Sequence, residues 1–138
     1  MYRILELNPQ LVPFSDNIDL RMNLYRNTKN RLLTAGQDLK DFANGHNFYG
    51  FHHVEGGWYY REWAPSADQL YLGGEFNNWN PTSHPMKRLD GENWELYLPG
   101  DDALWHGCKV KTVVDYHGAR TEHLPLYIRR VIQNKSNN

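Results

Sequence analysis

Gln69-Leu-Tyr-Leu-Gly-Gly-Glu-Phe-Asn-Asn-Trp-Asn-Pro81 carries the clearest pattern in the chain. Leu70, Leu72, Gly74 and Phe76 alternate towards one face, as side chains on a strand do with a period of two. Phe76 therefore ends the buried stripe, Asn77-Asn78 turns the chain, and Trp79 emerges just beyond the strand end. Outward from this stretch the same texture persists. From His46 onward short runs rich in Tyr, Trp, Phe and Val are punctuated by Gly, Asn, Asp and Pro, which predicts strands. They fall at Phe48 to Val54, Trp58 to Trp63, Gln69 to Phe76, Asn93 to Leu98, Cys108 to Tyr116, Ala119 to His123 and Tyr127 to Ile132. Glu55-Gly56-Gly57 and His117-Gly118 read as tight hairpin connections, since glycine takes positive φ without steric cost. Seven short strands at near-regular spacing fit a β-sandwich or a small barrel. The expected fold class is mainly β with a short helical N-terminal extension.

That extension covers residues 1–45. Ser15 or Asp16 offers a side-chain oxygen to cap the start of a helix. Ile18, Met22, Tyr25 and then Leu32 with Leu33 recur at near-helical spacing, among Arg21, Arg26, Lys29 and Arg31. Gly36 is a plausible stop. A second short helix fits Gln37 to Gly45, with glycine at its left-handed end. Residues 46–133 then form the β domain, and 134–138 read as a frayed tail.

At 138 residues the chain is long enough for one real core. Fifteen Lys+Arg against sixteen Asp+Glu give a net charge of -1. A phosphate-tracking surface needs clustered excess cation, so that balance argues against nucleic acid as a partner. The unusual figure is five Trp, nine Tyr and five Phe. Such an excess suits either an all-β core or an apolar partner that also hydrogen-bonds. A single cysteine, Cys108, excludes an intrachain disulfide. The N-terminus lacks the basic stretch and apolar run of a secretory signal, and no window reaches transmembrane length. The expected compartment is the cytoplasm, with no membrane partner.

Few chemistries survive inspection. His106 and Cys108 would share one strand face, yet a zinc site needs three or four ligands and no second pair has suitable spacing. Glycoside cleavage needs two facing carboxylates, and Glu55, Glu62, Glu75, Glu92, Glu95 and Asp115 form no cluster that sequence singles out. No nucleophile elbow or phosphate-cradling loop is present. Phe48-Tyr49-Gly50-Phe51 faintly resembles an aromatic stacking strand for single-stranded nucleic acid, but lacks its leading basic residue. No catalytic residue, metal site or cofactor is expected. Sugar fits better. A pyranose packs its C–H face on an indole and turns its hydroxyl rim to amides and cations. Trp79 supplies the indole, with Asn77, Asn78, Asn80, Lys87 and Lys111 as polar partners. A Trp folded back over the core edge is the competing explanation.

Two further blocks carry a resemblance. Gly56-Gly-Trp-Tyr-Tyr-Arg-Glu-Trp-Ala-Pro65 is followed by Gly74-Glu-Phe-Asn-Asn-Trp-Asn-Pro-Thr-Ser-His-Pro-Met-Lys-Arg88. Trp94-Glu-Leu-Tyr-Leu-Pro99, His106-Gly-Cys-Lys-Val-Lys111 and Leu124-Pro-Leu-Tyr-Ile-Arg-Arg130 continue the pattern. Together they resemble the N-terminal region of eukaryotic-type 1,4-α-glucan (glycogen) branching enzymes, over nearly the whole chain. The resemblance implies a carbohydrate-binding module of family 48, an immunoglobulin-like β-sandwich that precedes a catalytic barrel. It places the branching chemistry in the barrel, so this stretch is expected to be non-catalytic. The implied partners are α-1,4-glucan (glycogen and malto-oligosaccharides) and the barrel of the same polypeptide. Glycogen-binding kinase modules of this type use the Trp matching Trp79 and a Lys matching Lys111. They also use a second Trp where this chain has Gly118-Ala-Arg120. A structural support role for the barrel, with little glucan affinity, is the alternative.

Overall fold

The computed structural model describes residues 2–133. The chain divides into two compact units between Asn44 and Gly45. The first contains α1 (Arg3–Leu7), a 3-10 stretch (Pro9–Phe14), α2 (Ser15–Leu32) and α3 (Leu39–Phe42). The cap expected from Ser15 or Asp16 does not form. The 3-10 stretch runs directly into α2, so the Ser15 N–H is already paired with the Val12 carbonyl and Phe14 holds the capping position. The second helix is shorter than its sequence pattern and begins at a true capping box. Asp38 accepts the Lys40 and Asp41 N–H groups, and Asp41 accepts the Asp38 N–H. On α2, Ile18 and Met22 are half-buried, whereas Tyr25, expected on the same stripe, is exposed with Leu20 and Leu24. No helix among the described residues is long and apolar enough to cross a membrane.

The second unit is an immunoglobulin-like β-sandwich. After a helical turn (Gly45–Asn47) come β1 (Gly50–Val54), β2 (Gly57–Trp63), β3 (Gln69–Gly74), β4 (Lys87–Arg88), β5 (Asn93–Pro99), β6 (Val110–Tyr116) and β7 (Ala119–His123). They form two antiparallel sheets, β1-β2-β5-β4 and β3-β6-β7. Both glycine turns behave as their composition requires. Gly56 has φ 83°, while His117 and Gly118 have φ 49° and 78°.

Two strand expectations need correction, and one short strand was not expected. The stretch from Gln69 stops at Gly74, because Glu75–Asn77 winds into a 3-10 turn. Lys87–Arg88 pairs with Glu95 and Trp94, a strand too short to show alternation. Tyr127 to Ile132 is not a strand at all. There Pro125 is fully buried, the Leu126 N–H donates to Glu62 at 3.0 Å, and Tyr127 stacks on Tyr49 at 5.4 Å. Side chains, not a ladder, hold this segment. The tail expected at 134–138 lies outside the described residues.

The core joins both sheets. Tyr60, Trp94 and Leu98 from one pack with Leu70 and Leu72 from the other, closed by Ala67, Met86 and Leu104. One polar chain runs through it. The Tyr60 hydroxyl donates to Glu62 Oε2 at 2.6 Å and lies 2.6 Å from Thr112 Oγ1 across the sandwich. A phenol has one proton, so with that proton on the carboxylate Thr112 must donate to Tyr60. Burial, then the negative Glu62, pushes the Tyr60 phenol well above its ordinary value. Replacing Tyr60 with Phe removes a bond to a buried carboxylate and strands Thr112. We expect Tyr60→Phe to lower the free energy of urea unfolding by about 2–3 kcal/mol. An unchanged midpoint at an unchanged slope would show that this chain of bonds is not holding the sheets.

Candidate functional site

The Asn-rich turn after β3 is built around a close approach. A Cβ on Gly74 would lie 2.5 Å from the Lys109 carbonyl and 2.9 Å from Val110 Cγ1. Only glycine lets β3 pass the start of β6 there. Glu75 then clips the turn to β6, accepting the Lys109 N–H at 3.0 Å and pairing with its ammonium at 3.3 Å. The Lys109 N–H contributes most to holding the Glu75 carboxyl below its ordinary value.

Asn77 is the hub. Its Oδ1 accepts the Gly74 N–H at 2.9 Å. Its Nδ2 lies 3.1 Å from the Leu72 and Asn80 carbonyls, 3.0 Å from Ser83 Oγ and 3.1 Å from His84 Nδ1. Asn78 and Trp79 follow with φ 53° and 59°. Asparagine tolerates this left-handed region, but a tryptophan there carries strain of about 1–2 kcal/mol. The turn enforces it: the Trp79 N–H donates to the Gly74 carbonyl at 2.8 Å and the Asn80 N–H to Asn77 at 3.1 Å. The indole is thereby held out of the core, 45% exposed.

The strand register shows what Trp79 overlooks. Leu70, Leu72, Val110 and Val114 face the core. The alternate residues therefore share the outer face of β3-β6-β7: Tyr71 and Gly73 on β3, Lys111, Val113 and Asp115 on β6, Arg120 and Glu122 on β7. Lys111 Nζ lies 6.0 Å from the Trp79 ring centre and 2.7 Å from Glu122. The sequence-derived residues divide accordingly. Trp79 and Lys111 meet. Asn78 and Asn80 are exposed beside Trp79, with Asn80 Oδ1 accepting from the Thr82 N–H and hydroxyl. Asn77 turns its amide inward. Lys87 stands on β4, in the other sheet. Sequence reasoning missed Tyr71, Arg120 and Glu122. The alternation across the His117-Gly118 hairpin pairs Asp115 with Arg120 and Val113 with Glu122, a signal legible once that hairpin was assigned.

The aromatics of Phe48 to Phe51 are spent on packing. Phe51 stacks on Tyr60 at 4.3 Å, Tyr49 donates to Asn93 at 2.6 Å, and the Arg61 guanidinium sits 4.9 Å from the Phe48 ring centre. Among the described residues no three His, Cys, Asp or Glu side chains group to hold a metal ion.

Residues 48–128 match the family model for carbohydrate-binding module 48, the isoamylase N-terminal domain. The 1,4-alpha-glucan-branching enzyme of Dictyostelium discoideum is 35% identical over 140 residues, covering 98% of this chain and 21% of that protein. The 1,4-alpha-glucan-branching enzyme of Felis catus is 38% identical over 117 residues, covering 81% of this chain and 17% of that protein. A chloroplastic/amyloplastic 1,4-alpha-glucan-branching enzyme of Arabidopsis thaliana is 32% identical, covering 95% and 17%. The chain thus spans about a fifth of the length of these relatives.

His84 gives the turn a pH signature. Burial lowers its pKa below the ordinary 6.5, and Nδ1, 3.1 Å from the donor-only amide nitrogen of Asn77, must keep its lone pair free of a proton to accept there. A group that holds its proton more weakly when folded contributes fully above 6.5, and that contribution is lost as pH falls through the folded value. Melting temperature should therefore fall more steeply below pH 6.5 in the parent than in His84→Asn, whose amide oxygen accepts at any pH. Parallel melting curves of the two proteins from pH 7.5 to 5 would remove His84 from this role.

Proposed function

The chain belongs to the carbohydrate-binding module 48 family, and from that premise we propose that it binds α-1,4-glucan on the outer face of β3-β6-β7. Trp79 is the platform and Lys111 its hydrogen-bonding partner. The observation that carries the reading is the strained backbone of Trp79. A bulky residue in a left-handed conformation persists only where its surroundings enforce it, and such strain gathers at functional sites. Here the polar contacts of the Asn77 side chain and two backbone hydrogen bonds enforce an orientation that places an indole in water. A folding role would have asked for the opposite placement.

The face also suits the chemistry of the ligand. Lys111 is paired with Glu122 and Arg120 with Asp115. A surface whose charges cancel in pairs attracts no polyanion, yet it offers fixed donors and acceptors to hydroxyl groups. In a longer protein of the kind its relatives represent, this module would hold glycogen or starch chains. The transfer chemistry would then fall to a catalytic barrel of the same polypeptide, the module's structural neighbour. The cytoplasm suits such a role.

A support role with little glucan affinity is the second reading. Trp63 and Tyr97 on the other sheet, 47% and 43% exposed, with Phe48 just ahead of β1 at 38%, form an aromatic surface that a neighbouring domain could cover. One variant separates the two. Trp79→Ala should weaken maltoheptaose binding by about 1–3 kcal/mol, by analogy with bases stacked on aromatics, with melting displaced only slightly. A core tryptophan would instead lose roughly 3–5 kcal/mol of folding stability. Unchanged affinity in a calorimetric titration, or no binding by the parent, would leave the support role standing.

A further inference from the structure

One titratable side chain is built into the turn that presents Trp79. The His84 carbonyl accepts the Leu72 N–H of β3 at 3.0 Å, and its ring lies edge-on to Phe76 at 4.9 Å. Its Nδ1 stands 3.1 Å from Asn77 Nδ2 and 2.8 Å from Ser83 Oγ. An amide nitrogen only donates, whereas a hydroxyl can donate or accept. A bare Nδ1 therefore accepts from Asn77. A protonated Nδ1 still satisfies Ser83, but it aims one N–H at another across 3.1 Å.

The Asn77 amide has no local remedy for that conflict. Turned over, it would offer Oδ1 to the imidazolium, yet it would set Nδ2 against the Gly74 N–H, which Oδ1 now accepts at 2.9 Å. It would also face Oδ1 towards the Leu72 and Asn80 carbonyls, both of which Nδ2 now serves. In either arrangement the turn loses a contact that keeps Trp79 in its left-handed conformation. No carboxylate is free to take the new charge. The other titratable groups of this corner are Glu75 and Lys109, paired with each other at 3.3 Å, and the Cys108 thiol, which burial pushes up. Burial alone lowers the His84 pKa from the ordinary 6.5.

Resting on the glucan reading above, we propose that His84 is a proton-operated latch on the Trp79 platform. The module binds glucan with Nδ1 bare and releases it as that nitrogen takes a proton. The sign follows from linkage. Sugar favours the unprotonated turn, so affinity is full above pH 6.5 and falls as pH drops through the lower folded value. By reciprocity, bound sugar makes His84 harder to protonate. His84 and Asn77 are positioning residues here, and Trp79 makes the contact.

Calorimetric titration of the full chain with maltoheptaose from pH 7.5 to 5, at a temperature where every sample is folded, tests this. Affinity should fall roughly tenfold between the two limits, as expected when a hydrogen bond becomes an opposed pair of donors. His117 and His123 lie in or beside the same sheet, so the slope alone does not identify the group. His84→Asn should flatten the profile, whatever its affinity at pH 7.5. A second readout needs no variant: in proton NMR of the parent, saturating maltoheptaose should move the His84 ring titration to lower pH. Should His84→Asn fail to fold, that shift decides. If the parent binds equally at both limits, or His84→Asn keeps the parent's slope, the latch is wrong and the glucan reading survives. An unmoved His84 titration in saturating sugar would likewise overturn the latch. If the parent does not bind even at pH 7.5, both readings fall together.

Discussion

The Tyr60 hydroxyl is the point on which the sandwich turns. It bridges the two sheets within the core, touching Glu62 on its own side and Thr112 on the other. The Glu62 carboxylate would be costly to bury alone. It is accommodated because its oxygens also accept the Trp63 and Leu126 N–H groups, at 3.1 and 3.0 Å. Apolar packing of Leu70, Leu72 and Trp94 is tolerant of small shifts in register, whereas this chain of short bonds is not. It sets where β6 lies against β2. The outer face of β6, with Lys111 and Asp115, follows from that setting.

The turn after β3 works by the opposite principle. Within the core a polar group is surrounded until its demands are met. At Asn77 one polar side chain meets the demands of a loop that has no ladder of its own. A single amide holds two carbonyls, a hydroxyl, an imidazole and a backbone N–H. The rigidity so obtained is what allows an unfavourable tryptophan backbone to persist beside it.

Much of this was legible in the sequence, for reasons tied to particular residues. Leu70, Leu72 and Gly74 alternate over a strand long enough to average out exceptions, so their inward direction was secure, although the strand breaks at Gly74 and not at Phe76. The glycine turns declared themselves through backbone geometry that few other residues accept. What stayed hidden depends on distant partners. Nothing local distinguishes Asn77, which faces inward, from Asn78, which does not. Lys87 lies in a two-residue strand whose existence depends on Glu95 and Trp94. The apolar run after His123 has strand composition, but Pro125 and the Glu62 carboxylate give it better partners than a sheet edge does.

That last segment bears on where the folded unit can be cut. Its final strand ends at His123, and a boundary drawn by secondary structure would fall there. Yet Gly50 is glycine because the Tyr127 Cβ would sit 3.0 Å from any added Cβ, and the Tyr127 ring also stacks on Tyr49, seated just ahead of β1. Beginning and end of the sandwich are thus clasped by residues that belong to no strand. A proteolytic nick or an expression boundary between His123 and Pro125 would unclasp them. It would also leave a buried carboxylate without one of its donors. The smallest autonomous piece of this protein is therefore longer than its sheets.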